Sequence, residues 1–519
     1  MITLADLDEA QRNERFARLQ ERMKAVWGAM RLDHDDESVV VVPSVAVDPR
    51  AVSSVGIVQA FEERLLFLLL LLRQPRLRMV YVTSTRIEPR IVEYYLALLP
   101  GVIPSHARER LTLVSVDDLT LRPLAEKLLE RPRVLDLIGA KIPNRERCHL
   151  IAYAATDRER DLALTFGIPL YGSDPRLRDL GSKTGCRRLF TEEGVPHPGG
   201  AEDLHDPAGV VAAVGALLDD HPETAEVIVK LNHGAAGNGN ARVDLRDVAV
   251  LPVGPRERGA HVERRVMALE PELATLSRAD YWARFALYGG VVEERIMGVE
   301  LRSPSVQMRV LPDGQVELLS THDQLLGGPS GQQYVGCTFP ADPAYSRLIG
   351  EPAMVVGRRL AREGVLGRFA VDFVVVRDVE GGWAAHAIEI NLRKGGTTHP
   401  FLTLQFLTDG RYDGASGQFL TATGHQKHLV ASDHLEAPAL RSLRVGDLFD
   451  VVATHGLHFD HARQSGVVFH MISCLTELGR VGLTAIGDSP EHAKRLYSQA
   501  EEALLNEAAV AGRSAVLPQ

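Results

Sequence analysis

Cysteine is scarce in this sequence, with four residues in 519, and no two of them form a C-x-x-C pair. They are Cys148, Cys186, Cys337 and Cys474. So wide a spacing argues against a disulfide framework and against a zinc site. It favours reduced thiols, and we therefore expect a cytoplasmic protein.

Long apolar runs are also absent. The most apolar stretch covers residues 65–72, whereas a membrane-spanning helix needs about 20 residues, so we interpret this stretch as a buried helix. The opening MITLADLDEAQRNERF is polar from residue 5 onward and does not have the pattern of a secretory signal. The net charge of −10 argues against nucleic acid or an anionic membrane surface as the main partner.

The first 172 residues are predicted to form a doubly wound α/β domain. Strand-like runs alternate there with runs of helical periodicity, which is typical of a parallel sheet with crossover helices. An amphipathic helix over residues 4–30 precedes them. The predicted strands are residues 38–42, 78–83, 111–116 and 149–153, and the predicted helices are residues 57–72, 88–99, 123–130 and 157–166.

A different pattern begins after a Gly/Ser/Pro-rich joint at 172–182. Strand-like runs in residues 173–435 come in pairs joined by turns such as PDG and EGG, which predicts antiparallel hairpins in an α+β domain. Residues 440–519 end in two strand-like runs and a helix with Pro490 in its first turn. We interpret this last segment as a small β-β-α domain.

The run FAVDFVVV, a turn centred on Glu380–Gly381 and the run WAAHAIEIN predict a β-hairpin. This register places Asp372 opposite Glu389, and Asn391 follows on the same face, because side chains of a strand alternate between faces. The opposite face is predicted to be core and carries Val371, Phe373, Val375, Ile388 and Ile390.

Two carboxylates that face each other on a sheet repel each other. At about 5 Å and an effective dielectric constant of about 20, the repulsion costs about 3 kcal/mol. A divalent cation removes this cost, and carboxylate and amide oxygens suit Mg²⁺ that keeps some waters and bridges phosphate oxygens. The hairpin therefore predicts a metal–nucleotide site.

A strand that ends at Lys230 leads into the Gly-rich run LNHGAAGNGN. Glycines let backbone N–H groups approach phosphate oxygens closely, although the run is neither a P-loop nor a Rossmann fingerprint. The alternative is a glycine-rich turn with a lysine that merely ends the strand.

Lys183 follows Ser182, a candidate N-cap, and a cation there opposes the helix dipole, which hints at an anionic partner. An exposed lysine without a role is the alternative.

The run VVEERIMGVE (291–300) is predicted to be one strand that brings Glu293, Glu294 and Glu300 together around Gly298. An ordinary half-buried strand would explain the same alternation. The functional interpretation is a hinge strand, in which Glu293 and the backbone contact an adenine edge and Glu300 accepts from ribose hydroxyls.

Three histidines in HGLHFDHARQ are spaced three residues apart, a spacing that does not keep them on one helical face. No cysteine lies nearby, so we interpret His455, His458 and His461 as surface or hydrogen-bonded histidines and not as metal ligands. Serine and cysteine nucleophiles are not favoured either, because no G-x-S-x-G elbow is present.

The order of these features resembles the ATP-grasp ligases over about residues 173–410. The chain has Lys183, Lys230, the Gly-rich loop, E-x-x-x-x-G-x-E at 293–300, Asp372 and E-x-N at 389–391 in that order. More narrowly, SKTGCRRLFTEEGVPHP, THDQLLGGPSGQQYVGC and EINLRKGGTTHP resemble the pheganomycin-type peptide ligases. That resemblance implies a pre-ATP-grasp α/β domain, an ATP-grasp core and a small C-terminal domain.

The resemblance also implies roles for individual residues. Lys183 and Lys230 would contact the ATP phosphates, with Lys230 also near the adenine. The implied phosphate lid is Gly234, Gly237 and Gly239, the adenine contacts are Glu293 and the backbone at Ile296, and the ribose contact is Glu300. The implied ligands of Mg²⁺ are Asp372, Glu389 and Asn391, with two ions that Mn²⁺ could replace.

One position departs from related ligases. D-alanine ligases have an arginine two residues before the metal-binding aspartate, where this chain has Ala370. Another cation must therefore steady the reacting carboxylate, and Arg393 is favoured because it follows the E-x-N strand. The other candidates are Arg309, Arg368 and Lys394. Residues 321–337 are expected to contribute to the substrate pocket, with His322 and Asp323 as polar contacts.

The function implied is an ATP-dependent carboxylate–amine ligase that forms an amide through an acyl phosphate and releases ADP and phosphate. Its partners would be a carboxylic acid and an amine or peptide. Two alternatives stay open. One is an ATP-binding module of the same fold without ligase activity, and the other is a carboxylate-activating ligase with a nucleophile other than an amine, such as a thiol.

Overall fold

A computed structural model describes residues 4–32, 37–45, 56–234, 237–248, 255–327, 331 and 333–514 of the chain. It contains sheets of four, five and nine strands and a two-stranded ribbon. Over these ranges, no helix combines the length and the apolar character that crossing a lipid bilayer requires. The combination of a parallel α/β sheet with antiparallel sheets confirms the predicted fold class.

The N-terminal part is a parallel sheet with strand order β3-β2-β1-β4. The sheet consists of β1 (Glu37–Val42), β2 (Leu77–Thr83), β3 (Leu111–Ser115) and β4 (Cys148–Ala152). Its helices are α1 (Glu9–Glu21), α2 (Met23–Leu32), α3 (Gly56–Glu63), α4 (Pro89–Ala97), α5 (Pro104–Glu109), α6 (Leu124–Leu129), α7 (Pro132–Ala140) and α8 (Asp157–Phe166). Every residue of β1 is buried, as in a parallel sheet covered on both faces. All four predicted strands are confirmed.

The predicted helix over residues 4–30 is divided in the structure. It begins only at Glu9, because Asp8 caps the first turn and forms a capping box with Gln11. After Arg22 the chain continues as α2.

The apolar run at 65–72 is buried, but it is a 3₁₀ helix (Leu66–Arg73) after α3 instead of the predicted continuous α-helix. Its leucines share one hydrophobic cluster with Leu429 and Phe469 of the C-terminal strands. The N-terminal part and the end of the chain are therefore joined by a common core.

The five-stranded sheet follows, with strand order β5-β9-β6-β7-β8. Its strands are β5 (Gly200–Leu204), β6 (Glu226–Leu231), β7 (Asn240–Asp244), β8 (Glu270–Pro271) and β9 (Gly290–Glu294). The helices of this region are α9 (Lys183–Glu192), α10 (Pro207–Asp220), α11 (Pro255–Met267) and α12 (Arg278–Tyr288). The strand pairs of this five-stranded sheet are all antiparallel, as the sequence predicted.

The nine-stranded sheet has the order β10-β14-β11-β12-β13-β18-β20-β19, and β15 also pairs with β14. Its first six strands are β10 (Glu300–Arg302), β11 (Pro304–Val310), β12 (Val316–Gly327), β13 (Gln333–Phe339), β14 (Gly367–Arg377) and β15 (Trp383–Asn391). The ribbon is β16 (Arg411–Asp413) with β17 (Gln418–Leu420), and the sheet continues with β18 (His428–Glu436), β19 (Gly466–His470) and β20 (Arg480–Gly487). The remaining helices are α13 (Pro343–Arg362), α14 (Thr398–Thr408), α15 (Val445–Thr454), α16 (Cys474–Leu478) and α17 (Pro490–Ser514).

The C-terminal segment contains the two strands and the long helix that the sequence predicted. Its strands are not a separate sheet, because β20 pairs with β18 and so extends the sheet that carries the 367–391 hairpin. The boundaries at 172, 435 and 440 stay a prediction.

Candidate active site

The β14–β15 hairpin brings the three predicted metal ligands together. Asp372 pairs with Glu389 and Ala370 pairs with Asn391, which is the predicted register. The Asn391 Nδ2 atom donates to Asp372 Oδ2 over 3.0 Å. Carboxylate and amide oxygens of three side chains therefore face the same side of the sheet.

A β-bulge follows Asp372 and changes the opposite face. Phe373 pairs with Ala387, so the pairing is displaced by one residue beyond the site. Ala387 is consequently buried in the core cluster, whereas Ile388 is only half-buried. The prediction that Ile388 is a core residue is wrong for this reason.

The charge at this cluster is only partly compensated. Burial, together with the neighbouring Glu389 carboxylate, raises the pKa of Asp372 to about 6. Ser305, which pairs with Asp372 across β11 and β14, donates to its carboxylate. The Lys183 Nζ atom lies 2.5 Å from Glu389 Oε2. Lys183 and Arg393 both lower the pKa of Asp372 but do not bring it back to its ordinary value. The cluster therefore has room for further positive charge, and this donor set fits Mg²⁺.

Lys183 reaches Glu389 from the first turn of α9. The helix begins after Ser182, whose side chain accepts from Gly185 N, and this confirms the predicted N-cap. Lys183 N donates to Asn232 O over 3.2 Å, and Thr184 N donates to Asn232 Oδ1 over 3.0 Å. Asn232 thus connects the start of the Gly-rich loop to the helix that carries Lys183, a role that no local sequence pattern indicates.

A second charged cluster lies on the five-stranded sheet. The Lys230 Nζ atom lies 2.5 Å from Glu293 Oε2, and Arg187 Nη1 lies 3.4 Å from Glu293 Oε1. All three side chains are buried. Burial alone would raise the pKa of Glu293, but Lys230 and Arg187 hold it below its ordinary value. Arg187 was missed by sequence reasoning, because nothing in its helical context distinguishes it from a surface arginine.

The Gly-rich loop connects β6 to β7 and lies beside Lys230. Leu231 N donates to Gly239 O over 2.9 Å, which closes the base of the loop. Gly237 has a φ of 79°, a left-handed conformation that favours glycine. A Cβ atom on Gly234 would lie 3.3 Å from Gly239 Cα, so the two strands of the loop approach closely there. Residues 235–236 of the predicted phosphate lid lie outside the described ranges.

The predicted single strand over residues 291–300 is wrong. β9 ends at Glu294, and residues 295–298 cross without regular structure to β10 in the nine-stranded sheet. Glu300 is therefore separated from Glu293, and it pairs with Arg302 over 2.6 Å and lies 3.6 Å from Arg377. Ile296 is half-buried in the crossing segment, between the two sheets.

The candidate cations of the substrate site separate into two groups. Arg309 Nε donates to Glu317 Oε2 over 2.8 Å, and its guanidinium lies 5.1 Å from the centre of the Trp27 ring. Arg393 instead lies near the metal-ligand cluster. Burial would lower its pKa, but Tyr153, Glu389 and Asp372 raise it above the ordinary value. Of the two arginines, Arg393 is the one whose charge interacts with Asp372 and Glu389.

Lys394 and Arg368 line a crevice together with Arg393. Lys394 Nζ donates to the backbone oxygen of Ala152. Burial, and then the charge of Arg368, lower the pKa of Lys394 to about 7.

The expectation that His322 contacts a substrate disagrees with the structure. Its side chain is fully buried, packs against Phe339 and Phe401, and has Nε2 2.9 Å from Ser320 Oγ. Asp323 accepts from the Tyr345 hydroxyl over 2.7 Å and so supports α13. Residues 328–330 and 332 of this predicted pocket segment lie outside the part of the chain that is described.

The three histidines of HGLHFDHARQ, His455, His458 and His461, are exposed, which confirms their interpretation as surface residues. The four cysteines are free and buried.

Two family profiles match the sequence. The profile described as IQCH-like, ATP-grasp matches residues 176–279 and 272–414. The profile described as PGM1 C-terminal domain matches residues 447–500. The first match covers both charged clusters, and the second covers the C-terminal strands.

Among curated proteins, the chain is similar to L-propargylglycine–L-glutamate ligase of Streptantibioticus cattleyicolor. The two sequences are 30% identical over 443 residues, which is 84% of this chain and 87% of the relative.

Solved structures show the same fold. The biotin carboxylase domain of 2-oxoglutarate carboxylase from Hydrogenobacter thermophilus superimposes with a TM-score of 0.52 at 12% identity, covering 91% of this chain and 93% of that one. Biotin carboxylase from Campylobacter jejuni gives a TM-score of 0.51 at 12% identity, with 91% and 95% coverage. At these identities the likeness concerns the fold alone.

Proposed function

Since this chain belongs to the ATP-grasp ligases and joins a carboxylate to an amine at the expense of ATP, we propose that its product is a peptide or peptide-like amide. The relative from Streptantibioticus cattleyicolor is named for two amino acids, which supports amino-acid-like substrates here. The single structural observation that carries the ATP-dependent part of the proposal is the pairing of Asp372 with Glu389 on the hairpin, beside Asn391.

ATP and Mg²⁺ are the cofactors of the reaction, and we propose that Asp372, Glu389 and Asn391 hold the metal. Two ions, which Mn²⁺ could replace, fit a site with two carboxylates and an amide oxygen. Bound Mg²⁺ neutralises the phosphate oxygens during phosphoryl transfer. Lys183, which contacts Glu389, would add positive charge next to the γ-phosphate.

The second cluster is proposed to bind the remainder of the nucleotide. Lys230 lies next to the Gly-rich loop, where it would contact phosphate, with Gly234, Gly237 and Gly239 forming a lid. Glu293 orients Lys230 through their ion pair. The segment after Glu294 crosses between the two sheets, so the backbone at Ile296 would face the adenine and Glu300 the ribose.

The reaction proceeds in two steps in this proposal. The substrate carboxylate attacks the γ-phosphorus of ATP, the bond to the β-phosphate oxygen breaks, and ADP leaves. The amine then attacks the acyl carbon of the acyl phosphate, so that phosphate departs and the amine loses a proton. Arg393 would steady the carboxylate during the first step, because its charge interacts with both Asp372 and Glu389. A closed glycine lid would exclude water from the acyl phosphate.

The compartment is proposed from the thiols. The four cysteines are buried and free, which supports action in the reducing cytoplasm.

An assay of ADP release with a panel of amino acids as acids, with and without amines, tests the function. We expect release that depends on both an acid and an amine, and a product whose mass is the sum of the two less one water. Release that needs an acid but no amine would favour a different nucleophile. The absence of release with every pair would favour a binding module without ligase activity.

A further inference from the structure

Asn232 lies where the elements that carry the two charged clusters meet. It follows Lys230 by two residues, at the point where β6 has ended and the Gly-rich loop begins. Next to it are the first turn of α9, which begins with Lys183, and the end of α12 before β9. One residue therefore lies between the parts of the fold that present Lys183 and Lys230.

All four polar groups of Asn232 are hydrogen-bonded at this junction. Its backbone oxygen accepts from Lys183 N over 3.2 Å, and its Oδ1 atom accepts from Thr184 N over 3.0 Å. On the other side, its backbone N donates to Gly289 O over 3.0 Å, and its Nδ2 atom donates to Tyr288 O over 2.9 Å. An asparagine side chain supplies both an acceptor and a donor, so it binds the start of α9 and the end of α12 together.

These bonds complete the N-terminus of α9. The first N–H groups of a helix have no acceptor within the helix. In α9, Asn232 accepts from the first two, and the Ser182 side chain accepts from Gly185 N. The next N–H group, that of Cys186, donates to Ser182 O over 2.8 Å. All four groups are thus occupied, so the contribution of this helix start to a phosphate site is the side chain of Lys183.

The backbone on the other side of Asn232 is shaped to receive it. Gly289 has a φ of 67°, a left-handed conformation that favours glycine. A Cβ atom at this position would lie 2.9 Å from Asn232 Nδ2, so any larger residue would displace the asparagine side chain. The orientation of Asn232 is therefore determined by both of its neighbours.

Lys183 needs a fixed backbone in order to reach the metal-ligand cluster. Its side chain is buried, and its Nζ atom lies 2.5 Å from Glu389 Oε2 on the hairpin. A lysine side chain is a flexible four-carbon stem, so the place of its ammonium group depends on where its backbone is held. Movement of the first turn of α9 would carry that group away from Glu389.

We propose that Asn232 is a positioning residue for phosphoryl transfer, which acts through Lys183 by fixing the start of α9 relative to β6. This inference rests on the role proposed above for Lys183 beside the γ-phosphate. Asn232 acts without touching the nucleotide or a reacting atom. Its loss slows the chemical step more than it weakens ATP binding, because Lys230 keeps its own ion pair with Glu293.

The first test is a double-mutant cycle with Asn232→Ala and Lys183→Met in the full-length protein. It measures the maximal rate of ADP formation at saturating ATP. Asn232→Ala alone should lower this rate about tenfold, as expected for the loss of one or two hydrogen bonds, with a change of less than about threefold in the KM for ATP. In the Lys183→Met background, the same substitution should change the rate less than about twofold, because the group through which it acts is absent.

A second measurement does not depend on turnover. Acetic anhydride labels amino groups, and peptide mass spectrometry gives the rate of labelling at each lysine. Asn232→Ala should raise the labelling rate of Lys183 at least about threefold, because the first turn of α9 opens more often. Lys427 is the internal control, since it is 2% exposed and is paired with Asp488 away from this junction.

Two further variants separate positioning from a general loss of stability. Asn232→Asp keeps the acceptor for Thr184 N and should retain most of the wild-type rate. Asn144→Ala is the matched control, because Asn144 Oδ1 accepts from Glu146 N over 2.9 Å at the start of a 3₁₀ helix before β4. Its removal should leave both measurements unchanged. If Asn232→Ala is unstable to heat, Asn232→Ser, whose side chain is too short to bond to both sides, provides the same comparison.

Additive effects in the cycle would overturn the proposal, as would a wild-type rate in Asn232→Ala or a defect in Asn232→Asp as large as that in Asn232→Ala. Failure of the ligase function has a different signature. In that case the labelling of Lys183 would still respond to Asn232→Ala, while no acid and amine pair would cause ADP release.

Discussion

Asp372 and Asp433 both lie on strands of the nine-stranded sheet, but their charges are balanced in opposite ways. Asp433 is 2% exposed, its carboxylate accepts from Arg64, and its Oδ1 atom lies 2.7 Å from His470 Nε2. Asp372 is half-buried and pairs across the hairpin with another carboxylate, Glu389. The protein balances the charge of Asp433, whereas it compensates that of Asp372 only in part, through Lys183 and Arg393.

The pKa values move in opposite directions for this reason. Burial would raise the pKa of Asp433, but Arg64 and His399 hold it well below its ordinary value. Burial and Glu389 raise that of Asp372 to about 6. The lowered pKa of Asp433 indicates a structural ion pair. The raised pKa of Asp372 indicates a carboxylate whose ionised form a bound cation would stabilise.

Residue types alone would favour a different cluster as the metal centre. Potential ligand atoms of His399, Asp433 and His470 lie within 4.8 Å of one another. However, Arg64 already forms an ion pair with the Asp433 carboxylate. Arg480 Nε also donates to the backbone oxygen of Asp433 over 2.6 Å. A divalent cation would add positive charge to a buried site that already contains Arg64 and Arg480. Charge balance, more than the presence of histidines, therefore distinguishes the two clusters.

The largest effect is expected from Glu389→Gln, which removes a charge from the uncompensated cluster. We expect ADP formation to fall at least about 100-fold, since charge stabilisation of the phosphoryl group is lost, while thermal unfolding is nearly unchanged. Glu436→Gln is the matched control, because Glu436 is an exposed carboxylate on β18 of the same sheet. Wild-type activity in Glu389→Gln would remove Glu389 from the metal site.

Asp433→Asn should affect stability instead of catalysis. The substitution leaves Arg64 partly buried without a carboxylate, and we expect the free energy of unfolding to fall by about 3 kcal/mol, measured by urea denaturation. The Mg²⁺ dependence of ADP formation should not change. The comparison would fail if the purified wild-type protein contained a stoichiometric transition metal, by plasma mass spectrometry, that Asp433→Asn lost.

The smallest effect is expected at Glu63, a buried carboxylate of the N-terminal part. Glu63 accepts from Ser473 N over 3.1 Å, and burial raises its pKa from 4.5 to about 7. The folded state therefore binds more protons than the unfolded state between these values, so the contribution of Glu63 is present below pH 4.5 and is lost as the pH rises through 7.

Glu63→Gln should remove this dependence. Relative to wild type, the variant should gain stability between pH 5 and pH 8, by about 1–3 kcal/mol, in urea denaturation at each pH. Glu88→Gln serves as a control at a glutamate that is 32% exposed. Parallel stability curves for wild type and Glu63→Gln over this range would contradict the prediction.

The hairpin was predictable because its determinants are local. A turn cluster and two alternating strands fix which residues face each other, and this was enough to pair Asp372 with Glu389. The bulge that follows was not predictable, since no glycine or proline marks it, and it removed Ile388 from the predicted core. Ser182 as the N-cap of α9 was predictable for the same local reason.

Contacts between distant segments were not predictable in this way. The run at 291–300 has the alternation of one strand, but it divides between two sheets. His322 looked like a polar contact, yet it is packed among aromatic rings. In both cases the packing of other elements overrode the local pattern.

The amino-acid sequence by itself determined the order of elements, the parallel N-terminal sheet and the face that carries Asp372, Glu389 and Asn391, because alternation, turns and caps act over a few residues. Only the tertiary structure decided that Lys183 meets Glu389, that Arg187 meets Glu293, and that Arg368 and Lys394 share a crevice behind β4. These contacts join residues far apart in the chain, and they depend on how whole sheets and helices pack against one another.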